Sequence, residues 1–202
     1  MGGGFEGGRN SALLTAEKQH MLDQLQLSML AYYTGDPRRA QHFLKVHAFA
    51  RTIAIGEGLD AETRFLLEAA ALTHDIGIKA AEQKLGYSNG KLQEELGPEP
   101  AREMLEGLGF TQTQIDRVCW LIAHHHTYKD VVGVDYQILL EADFFVNTYE
   151  EAADKGLSRA KAWDETSAEA AAMRKAAEAA YRNVFVTETG KKLFAQMFSI
   201  EG

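Results

Sequence analysis

An all-α, single-domain fold is predicted by three features of the sequence. Apolar residues recur at spacings of three and four through nearly every segment. Helix-capping residues punctuate those segments, and 202 residues suffice for one substantial core. The opening MGGGFEGGRN marks residues 1–12 as a flexible glycine-rich tail and leaves 13–202 as a single helical domain. The tail lacks the Lys-Ser/Thr step and preceding strand of a phosphate-binding loop.

In chain order, Thr15 caps a first helix whose stripe Met21, Leu22, Leu25, Met29 and Leu30 runs toward Tyr33. That stripe suits a core or a homodimer face. Asp36 and Pro37 restart the chain as N-cap and first helical residue. The second helix, Arg38 to about Ile55, carries His42 and His47. His47 shares a face with Phe43, Ala50 and Ala54 and is expected to point inward. His42 lies about 140° away around the helix and reads, like His20, as an ordinary hydrogen-bonded histidine. Leu59 and Asp60 form a staple and cap for a buried third helix that ends in ALTHDIGIK. Gly77 is expected to stop or turn the chain. Residues 80–100 form the least regular stretch, with a short helix from Lys91 to Leu96. A helix from Ala101 to Leu108 follows. Thr111 with Gln114 then opens a helix running into His124-His125-His126. Asp135 is expected to cap Tyr136 to about Glu150, with Glu141 exposed. Ala160 to Ala180 favours helix by propensity, and Thr187 with Gly190 opens the last amphipathic turns.

Composition excludes several classes. The net charge of -8 opposes binding to nucleic-acid polymers or anionic membranes, and no apolar run is long enough to span a bilayer. Cys119 is the lone cysteine, so an internal disulfide is impossible, and the chain is expected to be cytoplasmic.

The chemistry-bearing residues converge on one pattern. His74 and Asp75 interrupt an apolar run, and burying either is costly without a partner or a metal. His47, one or two of His124–His126, and Asp143 inside YQILLEADFFVNTYE supply further metal-capable groups from other helices. Three adjacent rings point about 100° apart, so at most two of them reach one site. Imidazole with carboxylate suits Mn, Fe, Co, Ni or Zn, with Mg also admitted. The absence of paired cysteines argues against a closed structural zinc site.

This pattern resembles the HD superfamily of metal-dependent phosphohydrolases over roughly residues 38–150. The family's histidine, His-Asp pair and distant aspartate match His47 in KVHAFA, His74-Asp75 in LTHDIG and Asp143 in LLEADF. The resemblance implies an HD-type helical bundle with additional C-terminal helices. It also implies metal coordination by these four residues, with Asp75 able to bridge to a second ion. LIAHHHTY is similar to the His-His step of the two-metal branches, through His124-His125 or His125-His126. The chain departs from those branches in having Gln93 where they carry another histidine, and HDIGIK where many relatives read HDIGK.

The expected function is therefore metal-dependent hydrolysis of a small, nucleotide-like phosphoester, with one or two ions activating water and polarising the phosphoryl group. Asp75 and Glu82 are the catalytic candidates, Glu82 as an acid–base helper. His47, His74, Asp75, Asp143, His124 and His125 are the candidate ligands. Lys79, Lys84, Lys129 and His126 are the candidate substrate contacts, with Lys91 nearby. Two rival readings keep the site: an oxygenase or lyase on the same scaffold, and an inactive nucleotide-binding regulatory protein.

Overall fold

The third helix is the spine of the protein, because most of its side chains are apolar and buried. In the computed structural model, which describes residues 13–155 and 168–200, this helix is α3 (Ala61–Thr73), and Phe65, Leu67, Ala69, Ala70 and Leu72 along it have no exposed surface. It packs against α1 (Ala16–Tyr32), α2 (Pro37–Gly56), α7 (Gln112–Ile122) and α8 (Val134–Asp154). Between α3 and α7 lie α4 (Gly77–Leu85), α5 (Gly90–Leu96) and α6 (Pro98–Gly107), while α9 (Ala168–Asn183) and α10 (Glu188–Phe198) complete the described chain. Every element among the described residues is helical. The expected tail over residues 1–12, and the part of the alanine-rich stretch over 160–167, lie outside the described residues.

The caps behave as their chemistry requires. The Asp36 carboxylate accepts from the Arg39 amide at 3.1 Å, with Pro37 opening α2. Asp60 accepts from the Glu62 and Thr63 amides at 2.9 and 3.0 Å. Thr111 and Gln114 form a reciprocal capping box. In the α1 stripe, Leu22, Leu25 and Met29 are buried in the chain's own core, and Met21 and Leu30 are partly buried against it.

Four local expectations are corrected. Gly77 begins α4 rather than ending a segment, and residues 80–100 are mostly helical. A Cβ on Gly77 would lie 2.6 Å from the Gln93 carbonyl oxygen, so glycine there lets α4 abut α5. Asp135 does not cap α8: it sits in the first turn, where its carboxylate accepts two hydrogen bonds from Arg117 at 2.8 and 2.6 Å. Glu141 is fully buried, not exposed. It accepts from the Val186 and Thr187 amides at 2.7 and 2.9 Å and from the Thr187 hydroxyl, which ties the α9–α10 connection to α8. Beside it, Phe145, Phe185, Phe194 and Phe198 form a second apolar cluster that joins the C-terminal helices to the bundle.

Candidate metal centre

The centre is assembled where α3 stops. His74 is the C-cap of α3, and a tight turn carries the chain through Asp75 and Ile76 into α4. The Tyr33 hydroxyl donates to the Asp75 carbonyl at 2.7 Å, so α1 fixes this turn from outside. The carboxylate of Asp75 is then aimed between helices. Its Oδ2 lies 3.5 Å from Nε2 of both His42 and His74, and its Oδ1 lies 3.5 Å from Nε2 of His125. Asp143 of α8 closes the group: its Oδ1 is 3.2 Å from His42 Nε2 and 3.5 Å from His74 Nε2, and accepts from the Asn147 amide at 2.9 Å.

The imidazoles are turned inward by their other nitrogen. His74 Nδ1–H donates to the Ala71 carbonyl at 2.9 Å, and His125 Nδ1–H donates to the Ile122 carbonyl at 2.6 Å. Each Nε2 is thereby left as the free lone pair. His125 is wholly buried, and its Nε2 has no hydrogen-bond partner. A buried nitrogen of this kind normally has a ligand. His42, His74 and Asp75 form one set of donor atoms within 4.8 Å of one another, and Asp75, His125 and His126 form a second, with Asp75 shared. Nitrogen and carboxylate donors in two adjoining sets fit one or two divalent transition ions.

The structure brings His74, Asp75, Asp143, His125 and His126 together but separates the other sequence candidates. His47 is not in the cluster: its Nε2 is 2.9 Å from the buried Glu68 carboxylate on α3, and His42 stands beside His74 instead. The reason is the turn of α2, which puts the two rings about 140° apart. His124 is also excluded. Its Nδ1–H donates to the Trp120 carbonyl at 2.7 Å, and its ring stacks on Trp120 at 4.2 Å. Glu82 is held by Arg39 at 2.6 and 3.1 Å on the outer side of α4, away from the cluster. Lys79 donates to the Tyr32 carbonyl at 2.7 Å and caps the Tyr32 ring. Lys84, Lys91 and Lys129 are exposed and do not line the cavity over the cluster. The cations that do line it are Arg38 and Arg39, which the sequence reading passed over.

That cavity, about 320 Å³, has His42, Asp75 and Asp143 among its lining residues, together with Gln93, His126 and Asn147. His126 is hydrogen-bonded through Nε2 to the side chain of Gln93 on α5. The Glu94 carboxylate accepts from the His126 amide at 3.0 Å and from the Thr127 hydroxyl at 2.9 Å, fastening the loop to α5.

Electrostatics follow from this crowding. Burial by itself would strip His42 of its proton, yet the carboxylates of Asp143, Glu150 and Asp75 outweigh it and raise its pKa to about 10. Burial likewise disfavours ionised Asp143 and Asp75. The imidazole nitrogens of His42 and His74 beside Asp143, and those of His74, His125 and His42 beside Asp75, hold both acids well below the usual carboxylate range. His126 is shifted the other way: burial, then the neighbouring His125, lower its pKa. The cluster is thus an acid-rich pocket that uses a proton on His42 as its own cation.

Comparison with known proteins agrees with the geometry. The HD domain family model matches residues 39–169. Bacillus subtilis YpgQ in complex with ADP superposes with a TM-score of 0.61 at 17% identity, over 91% of this chain and 90% of that one. The selenomethionine form of Bacillus subtilis YpgQ superposes with a TM-score of 0.58 at 15% identity, over 91% and 89% of the two chains. No curated protein matches the chain. With the family model covering well over half of its length, the chain belongs to the HD domain family, a superfamily of metal-dependent phosphohydrolases.

Proposed function

We propose that this protein hydrolyses a phosphoester of a small, nucleotide-like molecule, using a divalent transition metal held by His42, His74, Asp75 and Asp143, with Asp75, His125 and His126 as the place for a second. The observation that carries the reading is the buried His125 Nε2, which lacks a protein partner and points with His42 and His74 toward the two oxygens of Asp75. Nucleotide as the substrate class is supported by the likeness to YpgQ, a protein seen with ADP.

Within this reading each residue has a defined task. When bound, the metal supplies an activated water and polarises the phosphoryl oxygens. Asp75 presents one oxygen to each donor set, so it fixes the spacing of the two positions. Asn147 holds Asp143 in line, and Gln93 holds His126. Arg38 and Arg39 place positive charge on an otherwise acidic cavity wall, where it favours a phosphate chain. The cavity suits a free nucleotide rather than a polymer, in keeping with the net charge of -8. No described helix is long and apolar enough to cross a membrane. We place the protein in the cytoplasm and leave its assembly state, including a homodimer, to be measured in solution.

The test is a panel of nucleoside mono-, di- and triphosphates with p-nitrophenyl phosphate, assayed by chromatography of products with Mn, Fe, Co, Ni, Zn or Mg supplied. Product that disappears on chelation and returns with metal is the expected result. Metal-loaded protein that turns over no phosphoester would contradict the reading.

A further inference from the structure

Of the three inward-facing imidazoles, only His42 is oriented by a side chain. His74 and His125 donate Nδ1–H to backbone carbonyls of their own helices, so their orientation follows from the main chain. His42 Nδ1 lies 3.2 Å from Oε2 of Glu150, two helical turns beyond Asp143 on α8. The other oxygen of Glu150 accepts from Lys45 at 2.6 Å, and Lys45 lies one turn beyond His42 on α2. The facing helices therefore form two rungs: His42 against Asp143, then Lys45 against Glu150.

We propose that Glu150 is a positioning residue for His42, resting on the metal reading above: by accepting Nδ1–H it aims Nε2 at the Asp75–Asp143 corner and sets the affinity of the first metal position. Glu150 lines the cavity, which invites an acid–base role. Its partners argue otherwise. Both of its carboxylate oxygens are engaged, one by His42 at 3.2 Å and the other by Lys45 at 2.6 Å. Lys45 has a separate task. It balances the charge of Glu150 and holds its other oxygen. Carboxylates behind metal-ligating histidines act in this way, and their loss typically weakens metal binding by about 10- to 100-fold.

The experiment is competition of manganese(II) against a fluorescent chelator on wild type, Glu150→Ala and Glu150→Gln, with melting curves of each in the metal-free state. Glu150→Ala is expected to weaken the tightest manganese by about 10- to 100-fold. Glu150→Gln keeps an oxygen that accepts Nδ1–H, so it should restore affinity to within about threefold of wild type. A role confined to stability would move the melting curves and leave manganese affinity alone. Wild-type affinity in Glu150→Ala, or equal weakening in both variants, overturns the positioning role while leaving the metal reading intact. Should Glu150→Ala fail to fold, Glu150→Gln still decides, because a tenfold loss there has the same meaning. No manganese bound by wild type sinks both.

Discussion

His42 and His47 sit on one helix and have opposite fates, and each has its own consequence. His42 faces three carboxylates and His74, so His42→Ala is expected to weaken metal binding by at least about tenfold, measured by chelator competition. His47 faces Glu68, a carboxylate with no exposed surface. His47→Ala should leave metal affinity unchanged and lower stability by about 1–3 kcal/mol, because a buried acceptor loses a partner. Denaturant titration checks the second effect, and the reverse outcome, metal lost with His47, would contradict the structure. Local patterning misled here because α2 is buried on two sides, against α3 and against α8, so an apolar neighbourhood does not say which face meets the cluster. The register did carry the answer. His74 lies 16 residues after Gly58 and His42 lies 16 before it, so an antiparallel hairpin brings them level. The same count pairs His47, 11 before, with Glu68, 10 after. The pair His74-Asp75 and the downstream Asp143 were legible without it, because a charged group inside an apolar run has few explanations.

Helices succeed or fail at their ends, and the ends at Asp36, Asp60 and Thr111 were readable because a side-chain oxygen followed by an apolar period has one reading. The starts of α4 and α8 were not. Both are set by tertiary contacts: the approach of Gly77 to α5, and the Arg117–Asp135 pair. Glu141 was misjudged for the same reason, since its partners at Val186 and Thr187 are more than forty residues away. That carboxylate is the tether of α9 and α10. Glu141→Ala leaves the buried Thr187 amide without its acceptor, at a cost of about 1–3 kcal/mol, and frees the Val186 amide beside it. We expect cleavage after residue 183 in limited proteolysis at temperatures where the wild type resists. Equal protease resistance of both proteins would show that the phenylalanine cluster holds these helices unaided.

Charge and fold combine in the protein's response to pH. In the metal-free chain, His42 carries a proton whose folded pKa, about 10, lies above its ordinary 6.5. That contribution to stability is whole below pH 6.5 and is lost as pH rises through about 10. Asp75 and Asp143 are depressed, so their contribution is present above the ordinary value of 3.8 and lost as pH falls further. The metal-free protein should therefore melt highest between roughly pH 4 and 6.5, and lower at pH 10. An incoming metal must displace the His42 proton, so affinity below pH 10 should rise about tenfold per unit. Calorimetry in buffers of different ionisation enthalpy measures that released proton directly, and a pH-independent affinity would mean that His42 is not a ligand. These effects, and the phosphohydrolase reading with them, require that the chain hold a metal at all. Elemental analysis on protein purified without chelator, for wild type, His42→Ala, His47→Ala and Asp75→Ala, decides this. Stoichiometric metal in wild type and His47→Ala, lost in His42→Ala and Asp75→Ala, is the expected result. Wild type with no more metal than Asp75→Ala, even after incubation with Mn, Fe, Co, Ni and Zn, would contradict it.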